Sequence, residues 1–344
     1  MTSSTQRLVW RWVRRMGLFL VAVLVAEYAA VHLLAGARES WASASSAAPL
    51  ALVAAFVAEA LALASFSCLT MVLLPRDAGV PYATVLATDL TGFGLSHVVP
   101  GGGATATALR FRLLGRAGVP TALAVGVGAI QSAVAVLWLV TAFVVGLVVA
   151  VPSPQTQPLL KTASVLAVVL LITFGGLVAV LMARPDQVVT VTHAVAGRLP
   201  LLRPQAFERF VRSLIGQVHL LLSSRVQTGR VVFWGLANWS LDAACLYLSV
   251  AAYGASPSPG GLLTTYALVS LLALLPLTPG GLGLVEGVAV PALVSFGTPN
   301  GAALLGVLTW RLFQFWLPVP VAAGTYVWLR IRLRDRVVER PAAP

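Results

Sequence analysis

The sequence predicts an all-α polytopic membrane bundle of about six complete spans and two re-entrant hairpins of opposite orientation. Three observations predict it. The chain is 58% hydrophobic and only 10% charged, against roughly 25% charge in soluble domains. Its mean hydropathy is +0.91. Apolar runs recur along the whole length, at 17–36, 49–74, 80–99, 119–151, 160–183, 231–253, 261–277, 284–297 and 302–329, many of them near or above the ~18 residues that cross roughly 30 Å of hydrocarbon as helix.

The connections set the orientation. The net charge of +12 is not a nucleic-acid footprint, because the arginines sit in short stretches between apolar runs; Lys161 is the lone lysine. Basic residues gather at Arg7 to Arg15, Arg76, Arg110 to Arg116, Arg184 to Arg230 and Arg330 to Arg340, and the positive-inside rule places all of these in the cytoplasm. The connections 40–48, 152–158 and 254–260 carry no Lys or Arg and read as outside loops. The segment 80–109 therefore enters from the cytoplasm and returns, and 261–299 does the same from outside. A full span at 80–99, with Arg110 and Arg112 outside, is the alternative topology. The domain plan is one membrane domain over 1–344: a first half 17–183, a cytoplasmic amphipathic segment 184–230, a second half 231–329 and a basic tail 330–344. In the middle segment Phe207, Val211, Leu214, Val218 and Leu221 share a helical stripe. It either lies on the inner leaflet or docks on the bundle as a loop helix.

The start at Arg7 to Arg15 and the apolar run from Gly17 resemble a signal peptide, but the length of that run favours an uncleaved first span. Trp10, Trp12, Trp316 and Trp328 near span ends read as an aromatic belt. Cys68 and Cys245 lie in separate apolar runs and read as packing residues.

Each hairpin holds a Pro-Gly-Gly: Pro100, Gly101 and Gly102 in the first, Pro279, Gly280 and Gly281 in the second. Pro removes an amide hydrogen and Gly tolerates any backbone conformation, so each triplet ends one helix and frees the turn that starts another. Unpaired backbone at membrane depth survives only inside protein or against a polar cavity. A half-helix starting there points N–H groups at that cavity, a cradle for phosphate; a plain packing kink is the alternative. Glu286 and Arg311 lie in apolar surroundings, where a charge costs at least about 2.5–3.5 kcal/mol at a span centre. They either pair structurally or serve head-group binding or proton exchange. Asn238 and Asp242, one turn apart, share a helix face and point to the same cavity. Asp89, His97 and Arg110 bracket the first triplet, with Arg110 placed to hold an anion at the cytoplasmic mouth. Glu27 and Glu59 read as helix-to-helix hydrogen-bonding groups. The chain has no P-loop, no D-x-x-D pair in or beside a span and no G-x-S-x-G elbow, so enzymatic chemistry has little to stand on.

The stretch LLPLTPGGLGLVEG (274–287) followed by WRLFQFWLPVPVAAG (310–324) resembles the C-terminal signature of the lysylphosphatidylglycerol synthase transmembrane, or flippase-like, family. SHVVPGGGATATALRFRLLGRAGV (96–119) resembles its first signature in the form seen without a fused catalytic domain. The resemblance covers essentially the whole chain. It implies movement of a lipid with a modified polar head between leaflets, and it points to Pro279, Gly280, Gly281, Gly283, Glu286, Arg311 and Pro318, and to Pro100, Gly101 and Arg110. The expected substrate is an anionic or modified lipid of the plasma membrane, and the positive-inside rule puts both termini in the cytoplasm. Many relatives carry an acidic residue between the PG and the arginine of the first signature; here the stretch is GGATATAL, so no carboxylate role is carried over there. Membrane lipids are the implied partners, with a separate lipid-modifying enzyme and a second copy of the chain as further candidates; no cofactor, metal or nucleic acid is implied. A non-transporting subunit that anchors or regulates a lipid- or glycan-modifying enzyme is the alternative function.

Overall fold

A computed structural model describes residues 47–75, 78–99, 102–150, 223–274 and 279–338, with isolated positions at 172, 176, 216, 218 and 221. The expected spans 17–36 and 160–183, Glu27, Arg76, Pro100, Gly101 and most of the amphipathic segment fall outside these residues.

The described residues form helices joined by turns. They are α1 Pro49–Leu73, α2 Tyr82–Val98, α3 Gly102–Arg116, α4 Thr121–Ala150, α5 Arg225–Ala251, α6 Pro259–Ala273, α7 Leu284–Ser295, α8 Asn300–Arg311 and α9 Pro318–Val338. A 3₁₀ turn at Pro279–Gly281 precedes α7, and a π turn at Leu312–Trp316 joins α8 to α9. Local chemistry sets the starts. Pro opens α1 and α6, where the missing N–H costs nothing, and the hydroxyls of Ser224 and Ser258 accept the N–H groups of Gln227 and Gly261.

Four helical stretches are long and apolar enough to cross a membrane: Pro49–Leu73, Thr121–Ala150, Arg225–Ala251 and Asn300–Leu333. Large apolar side chains such as Leu50, Val53 and Phe56 on α1, Val145, Val148 and Val149 on α4, and Phe233 and Leu236 on α5 are exposed. An apolar exterior of this extent suits hydrocarbon. By contrast α2, α3, α6 and α7 have 17, 15, 15 and 12 residues, roughly 18–26 Å at 1.5 Å per residue, which falls short of the bilayer core.

These short helices form two pairs, and packing shows where each pair begins and ends. Val80 and Val85 at the start of α2 cluster with Leu114 and Val119 around the end of α3, with Leu74 after α1 and with Ala124 and Val127 at the start of α4. The first pair thus returns to the end of the bundle where α4 begins. In the second, Gly261 at the start of α6 lies against Phe296 just past α7. Gly260 lies so close to the end of α4 that a Cβ would stand 2.8 Å from the Ala150 amide nitrogen. The second pair therefore has its base where α4 finishes, the opposite end of the bundle. The two halves interlock: α5 packs on α1, α6 on α4 and α9 on α2. The α6–α4 and α2–α9 contacts mirror one another, each setting the first short helix of one half against the last described helix of the other.

Two expectations change. The first pair does not end at 109: its second helix runs to Arg116, because Arg110 faces inward while Arg112 and Arg116 lie on the exposed side. Trp316 is buried, with its ring 4.9 Å from that of Phe315, because the π turn rotates it into the bundle; it does not belong to an exposed belt, whereas Trp328 is partly exposed.

Close helix approach at glycine gives a test. A Cβ on Gly306 of α8 would lie 2.7 Å from the Val250 Cα and 2.9 Å from its nitrogen, whereas one on Gly287 of α7 would meet nothing within 4 Å. Overpacking of this kind costs about 1–3 kcal/mol, so Gly306→Ala lowers the unfolding temperature of the detergent-solubilised protein by several degrees and Gly287→Ala does not. Equal melting of the two variants would contradict the α5–α8 packing.

Candidate functional site

Polar side chains in the bundle fall into three linked groups. The first ties α1, α2, α3 and α4 together. Arg110 donates from Nε to Asp89 Oδ1 at 2.6 Å, from Nη1 to Gln131 Oε1 at 2.7 Å and from Nη2 to Thr70 Oγ1 at 2.9 Å. Thr70 in turn donates to Asp89 Oδ2 at 2.7 Å and accepts from Gln131 Nε2 at 2.9 Å. All four residues are buried, and the guanidinium lies 5.1 Å from the Phe66 ring centroid. A charge pair in such surroundings persists only when its remaining donors and acceptors are met, as here. Arg110 is thus placed inside the first pair of short helices and not at an open mouth. Its carboxylate partner comes from the preceding helix instead of the GGATATAL stretch.

The second group surrounds the second Pro-Gly-Gly. Gly280, Gly281 and Gly283 have φ of 56°, 73° and 77°, in the left-handed region that other residues rarely adopt, and a side chain on Gly280 would run into the Phe315 ring. Glu286, in the first turn of α7, accepts the Gly283 N–H at 2.7 Å through Oε2 and the Arg311 Nε–H at 2.5 Å through Oε1. Arg311 also donates to the Gly280 carbonyl at 3.0 Å and to Gln314 Oε1 at 3.2 Å. Its guanidinium stands 4.3 Å from the centroid of Phe315, on which His97 from the end of α2 stacks at 4.4 Å. The tips of both short-helix pairs therefore meet at Phe315. The free N–H of Gly283 at the start of α7 is taken by Glu286 itself, so this amide is met from within the chain and not left for a phosphate. Glu286 and Arg311 form an ion pair.

The third group lines a cavity of about 120 Å³ between α1, α2, α5 and the π turn, with Glu59, Phe66, Asp89, Phe93, Asn238, Trp239, Asp242 and Gln314 on its wall. Asn238 and Asp242 share this wall as their spacing suggests. Asp242 accepts the Tyr266 hydroxyl at 2.8 Å and the Trp310 indole N–H at 2.7 Å. Glu59 reaches from α1 to the same wall, within hydrogen-bonding reach of the Asp242 carboxyl, while its Oε2 is buried with no partner among the described residues. The interhelical role read for Glu59 therefore comes with a place on the cavity wall. Gly280, Gly281, Glu286 and Arg311 do not line this cavity; Gln314 connects them to it. The side chain of Pro279, like Pro100 and Gly101, lies outside the described residues, and Gly102 opens α3. Sequence reasoning missed Trp239, Gln314, Thr70 and Gln131, uncharged residues that carry no insertion penalty to betray them; Glu59 did carry one.

The Asp89–Arg110 pair generates a prediction. Removing one partner of a buried pair costs about 3–5 kcal/mol because the other charge stays buried. Asp89→Asn therefore destabilises strongly, and adding Arg110→Met recovers part of the loss. Thermal unfolding of both variants checks this, and a double variant as unstable as the sum of its singles would contradict it.

Comparison with known proteins agrees with this architecture. The family model described as "Lysylphosphatidylglycerol synthase TM region" matches residues 19–322. A "UPF0104 membrane protein" of Methanothermobacter thermautotrophicus is 22% identical over 140 residues, 40% of this chain and 41% of that one. A further match to a protein of that description and organism is 43% identical over 58 residues, 17% of this chain and 16% of the relative. The chain thus aligns with well under half the length of the curated relatives it matches. The extent of the family match is what decides the assignment: this multi-pass membrane protein belongs to the lysylphosphatidylglycerol synthase transmembrane-region family.

Proposed function

We propose that this protein is a lipid translocase and not an enzyme. The observation that carries the reading is a small cavity with Glu59, Asn238 and Asp242 on its wall, inside a bundle with an apolar exterior and beside short-helix pairs whose bases face opposite ends. In a plasma membrane, with both termini cytoplasmic, the α2–α3 and α6–α7 pairs are re-entrant hairpins inserted from opposite faces. The lipid head crosses through the cavity while its tails stay in hydrocarbon. Paired hairpins of this kind let one half rock against the other around a fixed site.

The wall chemistry refines the substrate. Asp89 is neutralised by Arg110, which leaves Glu59 and Asp242 as the acidic contribution, beside Trp239, Phe66 and Phe93. Carboxyls and aromatic faces attract cations. A polar head modified with an amine fits this wall better than a bare anionic one. A separate enzyme that attaches the amine, and a second copy of the chain, are the partners this reading admits.

Reconstitution tests it. Purified protein in phosphatidylcholine liposomes accelerates leaflet exchange of a fluorescent lipid with an amine-bearing head more than that of fluorescent phosphatidylglycerol. Trp239→Ala, which removes an aromatic wall, slows the exchange by about tenfold, the loss of roughly 1.4 kcal/mol that one cation–π contact can supply. Exchange equal to that of empty liposomes for every lipid tried would favour the anchoring-subunit reading instead.

A further inference from the structure

The carboxyls of Glu59 and Asp242 stand on the wall of one small cavity across the α1–α5 interface, within hydrogen-bonding reach of each other. Glu59 is 3% exposed, lines the cavity and has an Oε2 with no partner among the described residues. Two ionised carboxylates in one small buried cavity repel each other and neither can donate; one proton held between them supplies the donor. Among the described residues, the neighbouring cations are already paired. From α2, Asp89 is tied to Arg110. From α6, Tyr266 donates its hydroxyl to Asp242. From α8, Arg311 is tied to Glu286. From α5, Cys245 is a buried free thiol, and Gln314 of the π turn is uncharged.

We propose that Glu59 and Asp242 hold one dissociable proton between them, and that an ammonium group entering the cavity displaces it. The O–H bond of the protonated carboxyl breaks and its proton leaves through the cavity to water. The ammonium N–H groups then donate to the two carboxylates. The pair carries one negative charge in its protonated form, and two carboxylates with one ammonium carry the same net charge. The site thus never stands doubly negative without a cation, and lipid and proton move in opposite directions. The exchange step rests on the translocase reading; the shared proton does not.

The two are tested separately. Infrared spectroscopy of the detergent-solubilised wild type at neutral pH shows the carbonyl stretch of a protonated carboxyl, and that band is lost in Glu59→Gln, whose amide supplies the donor in place of the proton and so keeps the fold. A wild type without the band, or a Glu59→Gln variant that retains it unchanged, overturns the shared proton. In phosphatidylcholine liposomes containing a fluorescent amine-headed lipid, wild-type protein redistributes the lipid about tenfold per unit of imposed pH gradient, the equilibrium factor for one proton exchanged per lipid. Glu59→Gln gives no such response. Wild-type exchange that ignores the gradient overturns the coupling, whereas no exchange at all overturns the translocase reading and leaves the infrared band to decide the proton.

Discussion

An arginine held away from water must place its N–H groups on oxygens, and the side chain of Arg311 does so by gripping the backbone turn that most needs an explanation. Its Nη2 takes the carbonyl of Gly280 and its Nε takes Glu286, while Glu286 takes the Gly283 N–H. An irregular turn and a charge, each costly in apolar surroundings, satisfy one another. Remove the guanidinium and the Gly280 carbonyl, the Glu286 carboxylate and one face of Phe315 each lose a contact together. The position of the α6–α7 pair, and through His97 on Phe315 the position of the α2 tip, depend on this contact.

Around that clamp the two halves hold each other. Neither half packs mainly on itself: α1 leans on α5, α4 on α6 and α2 on α9. Small residues permit the approach. Gly94 fits against Ala322 and Pro318 of α9, and a Cβ there would meet their atoms; Thr91 and Thr325 join their hydroxyls at 2.9 Å one turn further along. Residues of both halves enclose the cavity. The π turn, where the Leu317 N–H reaches back to Leu312 at 2.9 Å, places Gln314 between the clamp and the cavity. Extra-residue turns of this kind commonly mark functional positions within long helices.

Much of this was legible in the sequence, because burying charge and breaking helices in apolar runs are both expensive and therefore visible. Pro279, Gly280 and Gly281 announced a turn, Glu286 and Arg311 announced a pair, and Asn238 with Asp242 announced a common face. The interrupted apolar runs announced two pairs of short helices. What stayed hidden was partner choice across the fold. Nothing in the spacing of Asp89 and Arg110 says that this arginine turns inward to Thr70 and Gln131 instead of facing the cytoplasm. Glu59, near the middle of α1, meets Asp242 only because α1 packs on α5, a contact 183 positions apart in the chain. The burial of Trp316 follows from the π turn, and a single extra residue in a helical turn leaves no compositional trace.

Entry of two short-helix pairs from opposite faces of a membrane, with their tips meeting at Phe315 beside the cavity, is what the proposed function requires most. Single cysteines at 78 and 116, at the base of the first pair, and at 256 and 300, flanking the second, in a chain lacking Cys68 and Cys245, test it most directly with a membrane-impermeant maleimide on sealed vesicles of each orientation. Labelling of 78 and 116 from the cytoplasmic side alone, and of 256 and 300 from the outside alone, is the predicted result. Labelling of 78 and 116 from opposite sides would make the first pair a complete crossing and contradict the arrangement.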